Sequence, residues 1–428
     1  MSTPKIAFIN QPFGTISAAR QRGSISIWIY EMAKQLAPSF NVSVFARLGS
    51  GERGHEVKEG IHYHRFAISL EKLVVKLQEK WTHRKRPFFA SPYYYRRYIT
   101  QIAREIRRQE IDVVHITNFF QFVPIVRAFN PKAKIVLHMQ CEWLSQLDHK
   151  WIQQGIAEAD LITGCSNDIV AKICARFPEI KERTATVWNG VDPDSFQFSQ
   201  TQKPQKRILF VSRLSPEKGV HLLIDAFKQV TAVYPHVDLD IVGPQHASPY
   251  MFTVGISHEP SIQALSRFYK DGYRDSLYQE HLQAMIPSHL RDKLHFWGEI
   301  PHQQLQERFA AATLFVQPSL YEPFGMCLVE AMASGVPVIA AKVGGMVEIL
   351  NNGNAGRLVD PDNAENLANA LLTLLEDRNQ RETFVQIGHE RVQRFFTWDA
   401  CARTLAQHLQ KLYKIPNANP PETSVSIQ

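Results

Sequence analysis

The sequence predicts an α/β protein made of two doubly wound halves that face each other across a cleft. Its 428 residues exceed the usual size of one domain, and a rhythm of short apolar runs and amphipathic helices occurs twice. Continuous Val, Ile and Leu runs are typical of parallel strands that helices cover on both faces. Because such sheets bind ligands beyond the carboxyl ends of their strands, we expect the functional site in the cleft.

The first half, residues 1–190, is predicted to be one domain built from βαβ units. Each apolar run is short enough for a strand and is followed by a segment with helical periodicity. The predicted strands are Lys5–Asn10, Val42–Ala46, Tyr63–Ala67, Asp112–Ile116, Lys134–His138, Leu161–Gly164 and Thr186–Val187.

A polar break from Asn189 to Arg207 contains two prolines and lacks periodicity, which predicts a linker between domains. The second domain, residues 205–395, restarts the rhythm. Between Gly243 and Pro287 the strand pattern lapses, and we interpret residues 244–287 as an insertion. The predicted strands are Ile208–Ser212, Leu239–Val242, Leu294–Trp297, Leu314–Gln317 and Pro337–Ala340.

The C-terminal stretch predicts one more helix, residues 397–415. Thr397 is a suitable N-cap and Pro416 marks the end of the helix. We expect this helix to pack back on the N-terminal domain, and residues 416–428 to form a disordered tail.

Composition favours a globular protein of the cytoplasm. The 44% hydrophobic and 21% charged residues are ordinary values, and no apolar run reaches the roughly 18 residues of a membrane-spanning helix. The apolar run near the N-terminus is too short for a signal peptide. The five cysteines are an odd number without a Cys-x-x-Cys pair, which indicates reduced thiols.

Positive charge is concentrated in one place, the basic segment of residues 71–110. It holds eleven Lys or Arg and four Glu, a balance of +7 that equals the net charge of the whole chain. The remainder is close to neutral, which argues against a nucleic-acid-binding protein and for one local basic patch.

The start of the basic segment has two interpretations. Apolar residues at helical spacing, with lysines on other faces, suit peripheral contact with an anionic membrane through residues 70–98. The alternative is a helix that packs on its own domain and leaves a solvated basic face. The apolar positions are Leu70, Leu73, Val74, Leu77 and Trp81.

Two cations follow the first strand of the second domain. Ser215-Pro216 is typical of a helix start, with serine as N-cap and proline at the first helical position. Arg213 and Lys218 therefore flank a helix N-terminus, where free amides and the helix dipole favour a diphosphate. The alternative is that both are ordinary surface charges.

Two glutamates surround a Pro-Phe-Gly turn in the stretch SLYEPFGMCLVEAMASG. Glu322 precedes the turn, a helix is predicted to begin near Gly325, and Glu330 lies one to two turns inside it. A buried carboxylate needs hydrogen-bond donors, and the vicinal hydroxyls of a ribose would supply them. The alternative for both residues is solvation, the usual fate of glutamate.

This spacing, E-P-F-G-x-x-x-x-E, resembles the signature of the family-four retaining glycosyltransferases of the GT-B fold. Other stretches of the chain fit the same family in order, so the resemblance spans nearly its whole length. They lie at residues 111–117, 159–166, 188–192, 211–219, 296–301, 335–350 and 356–363.

The resemblance implies a nucleotide-diphosphate sugar donor held by the second domain. Arg213 and Lys218 would then bind the diphosphate, and Glu330 the ribose hydroxyls. Glu322 would hold the donor sugar together with the amides of Phe324 and Gly325. Residues 298–301, including Gly298 and Ile300, would meet the nucleobase through their backbone.

In the first domain the resemblance implies two further contacts. Gly23 would approach the diphosphate before a helix, although the family usually has a second glycine where this chain has Ser24. His138, at the end of a predicted strand, would lie close to the donor sugar; a structural histidine is the alternative. We expect His115, on the neighbouring strand, to be structural.

The implied activity is transfer of a hexosyl group, with retention of anomeric configuration, to a sugar or lipid-linked hydroxyl. We expect no cofactor and no metal, and interpret the Asp-x-Asp pairs (192/194, 238/240 and 360/362) as turn and loop residues. The alternatives are a nucleotide-sugar-binding protein without turnover, or a pyridoxal-phosphate-dependent phosphorylase of similar architecture. Donor, acceptor, linkage and oligomeric state stay open.

Overall fold

The computed structural model describes residues 3–16, 23–78, 83–198, 206–270 and 277–413. These residues form two separate sheets, one in each half of the chain, and both are doubly wound with helices on their two faces. The predicted fold class is therefore confirmed.

The N-terminal sheet has the strand order β3-β4-β2-β1-β5-β6-β7-β8, and all pairs are parallel except β3 with β4. The sequence did not predict β3, because HEVK has no apolar run and is largely exposed. The strands are β1 (Lys5–Ile9), β2 (Asn41–Arg47), β3 (His55–Lys58), β4 (Ile61–Phe66), β5 (Val113–Thr117), β6 (Lys134–Met139), β7 (Leu161–Gly164) and β8 (Thr184–Thr186).

The C-terminal sheet is wholly parallel, with the order β11-β10-β9-β12-β13-β14. The sequence missed β14 because it is only three residues long. The strands are β9 (Arg207–Val211), β10 (Asp238–Val242), β11 (Leu294–Gly298), β12 (Leu314–Gln317), β13 (Val338–Ala341) and β14 (Arg357–Val359).

Helices cover both sheets with their apolar faces. Those of the first half are α1 (Ser24–Leu36), α2 (Ser69–Gln78), α3 (Arg96–Gln109), α4 (Phe122–Phe129), α5 (Trp143–Gln146), α6 (His149–Ile156) and α7 (Asn167–Arg176). Those of the second half are α8 (Val220–Val233), α9 (Pro260–Gln263), α10 (Tyr278–Ala284), α11 (Leu305–Ala311), α12 (Met326–Ala333), α13 (Gly345–Ile349), α14 (Ala364–Glu376), α15 (Arg378–Phe395) and α16 (Trp398–Tyr413). Short 3-10 helices occur at Phe88–Ala90, Pro178–Arg183, Pro216–Lys218, Tyr250–Phe252, Ala264–Phe268, Ser288–Lys293, His302–Gln304 and Asn351–Gly353.

The C-terminal helix α16 packs against α1 of the N-terminal half, and its apolar residues share a core with the first sheet. The hydroxyl of Thr397 accepts a hydrogen bond from the Ala400 amide at 3.1 Å, so Thr397 caps this helix as the sequence predicts. The tail, residues 416–428, lies outside the described residues.

The segment interpreted as a linker is partly packed. Val191 forms a β-bridge with Thr397, and Val191 and Phe196 are buried. The sequence pattern missed this because the partners are distant in the chain: Val191 pairs with Thr397, and Phe196 packs against His302 and Phe309. Residues 199–205 lie outside the described part.

The insertion after β10 contains short helices and no strand among its described residues. Its Phe252 reaches the N-terminal half: the Trp143 indole N–H donates to the Phe252 carbonyl at 3.1 Å. The ring of Phe252 lies 4.9 Å from that of Phe89 and 6.2 Å from that of Phe13. The insertion therefore joins the two halves along one side of the cleft.

Candidate active site

Each sheet has a point at which the chain reverses the direction of winding. In the second sheet β9 has β10 on one side and β12 on the other, and in the first sheet β1 lies between β2 and β5. The loops that leave the carboxyl ends of neighbouring strands diverge at such a point and open a crevice. The loops after β9 and β12 carry most of the predicted site residues.

Lys218 and Glu322 meet across these two loops. The Lys218 ammonium donates to Oε2 of Glu322 at 2.8 Å, and both side chains are 12% exposed. The amide group of Gln317, the last residue of β12, donates to the same oxygen at 2.8 Å. Two donors thus hold Glu322 in one orientation while its other oxygen is left for a ligand.

Close backbone contact fixes the Glu322 loop. Gly344 has φ +49°, and a Cβ there would lie 2.0 Å from the Glu322 carbonyl oxygen. The Gly345 amide donates to that same oxygen at 3.3 Å. Only glycine tolerates both the conformation and the approach, so the residue before α13 sets the position of Glu322.

The helix start differs from the sequence prediction. Ser215 precedes the 3-10 helix Pro216–Lys218, and α8 begins only at Val220, after Gly219 in the left-handed region. The Ser215 hydroxyl does not cap the helix but donates to the carboxylate of buried Glu217. Ser248 donates to the other oxygen of Glu217 at 2.9 Å, which ties this loop to the insertion.

Arg213 lies two residues beyond β9 and is half-buried. Its Nε is buried and has no hydrogen-bond partner among the described residues. A buried guanidinium nitrogen without an acceptor is costly, and a phosphate oxygen is an acceptor that Arg binds well.

Glu330 is buried inside α12, with 2% of its surface exposed. Oε1 lies 2.8 Å from Nε2 of His302, whereas Oε2 is buried and has no hydrogen-bond partner within the described chain. Burial disfavours the charged form of His302, but the charge and hydrogen bond of Glu330 outweigh it and raise the pKa of His302. One oxygen is therefore held and the other is unused.

The thiol of Cys327 shows that these groups belong to one cluster. Burial raises the pKa of Cys327 well above its usual range, and the charges of Glu330 and Glu322 raise it further, while Lys218 opposes them. Cys327 thus lies within electrostatic reach of all three residues, on the first turn of α12.

The turn between Glu322 and α12 has its predicted form. Gly325 is the N-cap residue with φ +115°, Met326 begins the helix, and no described side chain caps the N-terminus. Phe324 is buried. Gly298 ends β11 with φ +67°, and its carbonyl accepts a hydrogen bond from the Gly243 amide at 2.8 Å. Ile300 is half-buried.

The N-terminal half contributes a neutral aromatic stack. The His138 ring lies 4.3 Å from that of Trp28 at an angle of 15°, and its Nδ1 is 2.8 Å from the Thr163 hydroxyl. Burial, and then the neighbouring His115, lowers the pKa of His138 well below its usual range. Trp28 stacks on His115 as well. His138 is therefore uncharged at neutral pH.

Gly23 lies immediately before α1. It is the N-cap residue with φ +82° and ψ 145°, a conformation open only to glycine, and a Cβ there would meet no described atom within 4 Å. The helix begins at Ser24, the position at which the sequence departs from the family pattern.

Two family models match the chain in succession. Residues 25–195 match Glycosyltransferase Family 4, and residues 191–391 match Glycosyl transferases group 1. Together they span residues 25–391, which include every strand listed above except β1 and every site residue described above except Gly23. The chain belongs to this family of glycosyltransferases.

Relatives and solved structures agree with the GT-B fold of this glycosyltransferase. The chain is 25% identical to the lipopolysaccharide 1,2-N-acetylglucosaminetransferase of Salmonella typhimurium, over 96% of its own length and 99% of that protein. Sucrose-phosphate synthase from Thermosynechococcus elongatus superposes with a TM-score of 0.72 at 20% identity, over 96% and 99% of the two chains. HepE of Anabaena, in complex with UDP and glucose, gives a TM-score of 0.66 at 20% identity, over 95% and 99%.

The structure of the glycosyltransferase brings Lys218, Glu322 and Glu330 together but records no contact between His138 and Glu322. The two halves instead meet beside them. The Glu142 amide donates to the Tyr321 hydroxyl at 3.1 Å, and the Cys165 thiol donates to the Pro323 carbonyl at 3.7 Å.

Three residues of the site were missed at the sequence level. Gln317 could have been found as a polar residue at the carboxyl end of a buried strand. His302 lies 28 residues from its partner Glu330, and Trp28 looks like an ordinary core residue of α1, so neither carries a local signal.

The three Asp-x-Asp pairs are not alike, and one interpretation was wrong. Asp238 and Asp240 lie in strand β10 rather than in a loop, and the Arg207 guanidinium donates to them at 3.0 and 2.9 Å. Within the described ranges, no group of three or more His, Cys, Asp or Glu side chains could hold a metal ion.

Hydrogen bonds within the basic segment and to other parts of this glycosyltransferase hold the segment in place. Glu71 of α2 accepts a hydrogen bond from the Tyr98 amide at 3.0 Å, and Arg84 donates to the Ser257 carbonyl of the insertion. Leu73 is 61% exposed and Tyr93 is 70% exposed. Trp81 lies outside the described residues. No described helix is long and apolar enough to cross a membrane.

Proposed function

We propose that this glycosyltransferase is a retaining hexosyltransferase. It transfers a hexosyl group from a nucleotide-diphosphate sugar to a sugar or lipid-linked hydroxyl at the cytoplasmic face of a membrane, and needs no metal to hold the donor. The main support is Glu330, a buried carboxylate with one oxygen held by His302 and the other without a hydrogen-bond partner among the described residues. The two hydroxyls of a ribose would satisfy that oxygen.

The charges around Glu330 suit the rest of such a donor. Lys218 and Arg213 both follow β9, and Lys218 contacts Glu322; in this proposal the two cations bind the diphosphate that bridges from the ribose to the sugar. The uncapped N-terminus of α12 adds amides and a partial positive charge. Glu322, oriented by Lys218 and Gln317, presents its second oxygen to sugar hydroxyls.

The chemistry follows from where charge develops. The bond between the anomeric carbon and the diphosphate oxygen breaks, which leaves positive charge on the ring and negative charge on the phosphate. Lys218, Arg213 and the helix amides stabilise the negative charge. The acceptor oxygen bonds to the anomeric carbon from the face that the phosphate leaves, and its proton passes to a phosphate oxygen.

The N-terminal half supplies shape rather than charge in this proposal. His138 is neutral at physiological pH, fully buried, and held by Trp28, Thr163 and Gln140, whose side-chain amide lies 3.4 Å from Nε2 of His138, so a sugar hydroxyl would reach this nitrogen only in place of Gln140. Gly23 lets the backbone before α1 approach the diphosphate closely.

Relatives suggest the first donors to try. HepE of Anabaena was crystallised with UDP-glucose, and the Salmonella relative is named as an N-acetylglucosaminetransferase. UDP-glucose, UDP-N-acetylglucosamine and GDP-mannose therefore form a suitable starting panel.

The decisive experiment is a thermal-shift screen of this panel with and without EDTA. We expect one donor to raise the unfolding temperature equally in both conditions, and Glu330→Gln to lose most of that shift. Glu307→Gln, an exposed residue of α11, serves as control and should behave as the native enzyme does.

The screen also separates the alternatives. Donor hydrolysis by the purified enzyme would exclude a binding protein without turnover. A shift unaffected by Glu330→Gln would refute the ribose assignment, and stabilisation only in the presence of a divalent cation would refute metal independence.

The acceptor is proposed to be reached at an anionic membrane surface. Exposed Leu73 and Tyr93 lie among cations of the basic segment, and this combination suits an interface of lipid headgroups. Arg84 and Arg86 are poor choices for a test because they bind Ser257 and Asp148. Lys72, Arg96 and Arg97 are exposed.

A vesicle-flotation assay tests this contact. Reversal of Lys72, Arg96 and Arg97 to Glu should abolish co-flotation with phosphatidylglycerol vesicles, since each basic residue near such a surface contributes about 1 kcal/mol. The matched control reverses Lys132, Lys150 and Lys181, which are exposed elsewhere on the same half. Equal flotation of both triple variants would exclude the membrane contact.

A further inference from the structure

His302 is the residue that holds Glu330. It begins a 3-10 helix shortly after β11, and its Nε2 lies 2.8 Å from Oε1 of Glu330. The edge of the His302 ring packs against Phe196, with ring centroids 5.3 Å apart. These two contacts fix the ring and hold Oε1 of Glu330, while Oε2 has no hydrogen-bond partner among the described residues.

We propose that His302 is a positioning residue that orients Glu330 toward the donor ribose and makes donor affinity depend on pH. The inference rests on the proposed function, because Glu330 must contact the nucleotide. It assigns a task to a residue of the second half that the resemblance does not include.

Two acidic side chains face His302 from the elements packed against it. Glu330 comes from α12, and Glu31 comes from α1 of the opposite half; both charges favour the imidazolium, and together they outweigh burial. Glu31 is itself influenced by Lys34 and Asp192, although burial is the main cause of its raised pKa. His302 therefore responds to the charge of Glu330 in α12 and to that of Glu31 in α1.

The direction of the pH effect follows from these charges. The pKa of His302 is raised, so the ring is protonated below that pKa and neutral above it. A protonated ring forms a charge-assisted hydrogen bond to Glu330, which is about twice as strong as a neutral one. An anionic donor further favours the protonated form, so binding takes up a proton and affinity falls as the pH rises.

The test is calorimetric titration with a nucleotide sugar between pH 6 and pH 9. UDP-glucose is the first probe, because both of its phosphates are esterified and neither titrates near neutral pH. If the thermal-shift panel favours GDP-mannose or UDP-N-acetylglucosamine, that compound replaces it. We expect the native enzyme to lose about tenfold in affinity over this range, the difference between a charged and a neutral hydrogen bond.

The His302→Gln variant separates charge from position. Its side-chain amide can still donate to Glu330 but does not titrate, so its affinity should be flat and close to that of the native enzyme at pH 9. A merely structural histidine would leave the pH profile unchanged. His295→Gln is the matched control, because His295 lies 3.6 Å from another carboxylate, Asp238, and should keep the native profile.

A second variant keeps the proposal testable even if His302→Gln folds poorly. Glu31→Gln removes one of the two charges that favour the imidazolium, so the fall in affinity should occur at a lower pH. The inference would be overturned if the affinity of the native enzyme did not fall between pH 6 and pH 9, or if the same fall persisted in His302→Gln. If the native enzyme binds none of the nucleotide sugars in the panel, the proposed function itself is overturned.

Discussion

The two halves differ in the charge of their site residues. On the C-terminal side Lys218 forms an ion pair with Glu322, and His302, whose pKa is raised, forms a hydrogen bond with Glu330, each at 2.8 Å. On the N-terminal side His115 and His138 are fully buried, stacked on Trp28 and neutral, because burial lowers both pKa values. The difference suggests that one half holds the charged part of a donor and the other shapes the space around a neutral sugar.

The cause of this difference is burial. His115 and His138 lie within the strands β5 and β6, inside the first sheet, where the charged form of a histidine loses its hydration. Lys218 and Glu322 lie on loops that leave the second sheet, and each has an oppositely charged partner. A strand can position a neutral ring, whereas a loop at a helix N-terminus can stabilise an anion.

The largest expected effect concerns Lys218. Lys218→Ala should lower the turnover number about 10²–10³-fold, the usual cost of removing a group that stabilises transition-state charge. Lys228→Ala is the matched control, since its Nζ also lies 2.8 Å from a carboxylate, that of Asp225, but on an exposed helix face. Steady-state kinetics should show no change in the control. If both variants lost turnover to a similar extent, Lys218 would have no specific role in catalysis.

The neutral side is tested by acid. An unfolded histidine binds a proton below pH 6.5, whereas folded His115 does so only near pH 3. Protonation therefore favours unfolding as the pH falls through this range, by about 1.4 kcal/mol per pH unit. His115→Leu removes this pH-dependent contribution to unfolding. It also removes two buried ring nitrogens that have no hydrogen-bond partner among the described residues.

Urea unfolding at pH 7.5 and pH 4.5 measures this effect. Relative to the native enzyme, His115→Leu should gain about 3 kcal/mol more at pH 4.5 than at pH 7.5. His289→Leu, at an exposed position, should gain nothing in this comparison. If His115→Leu shows the same acid sensitivity as the native enzyme, His115 is not the neutral group described here.

The smallest expected effect concerns the backbone before α1. Gly23→Ala should lower the free energy of unfolding by about 1–3 kcal/mol, because the φ and ψ angles of Gly23 suit only glycine. No described atom blocks the added Cβ, so the cost is conformational. Ser24→Ala is the control and should change stability by less. Equal stability of both variants, measured by thermal unfolding, would show that the loop adapts.

Most of the fold could be predicted from the sequence because buried parallel strands are continuous apolar runs. Of the fourteen strands in the described part of the chain, twelve were located this way; β3 and β14 were missed because one is polar and the other very short. The packing of Val191 and Phe196 could not be predicted, because their partners, Thr397 for Val191 and His302 and Phe309 for Phe196, are more than 100 residues away in the chain.

The site was predictable only in part, for a related reason. Residues of one loop or helix turn, such as Glu322, Gly325 and Glu330, leave a pattern in the sequence. Contacts between distant segments do not, which explains why His302 and Trp28 were missed. The start of α8 was misplaced because Ser215 bonds to Glu217 instead of the helix amides.

The most direct test of metal-independent diphosphate binding is the affinity of the native enzyme and of the Arg213→Ala variant for the nucleotide sugar in EDTA, measured by calorimetry. We predict that native binding persists in EDTA and that the variant binds at least about tenfold more weakly, since it lacks the guanidinium that would form charge-assisted bonds to the diphosphate in the native enzyme. Native binding that appears only after a divalent cation is restored, with the same affinity in the variant, would contradict this prediction.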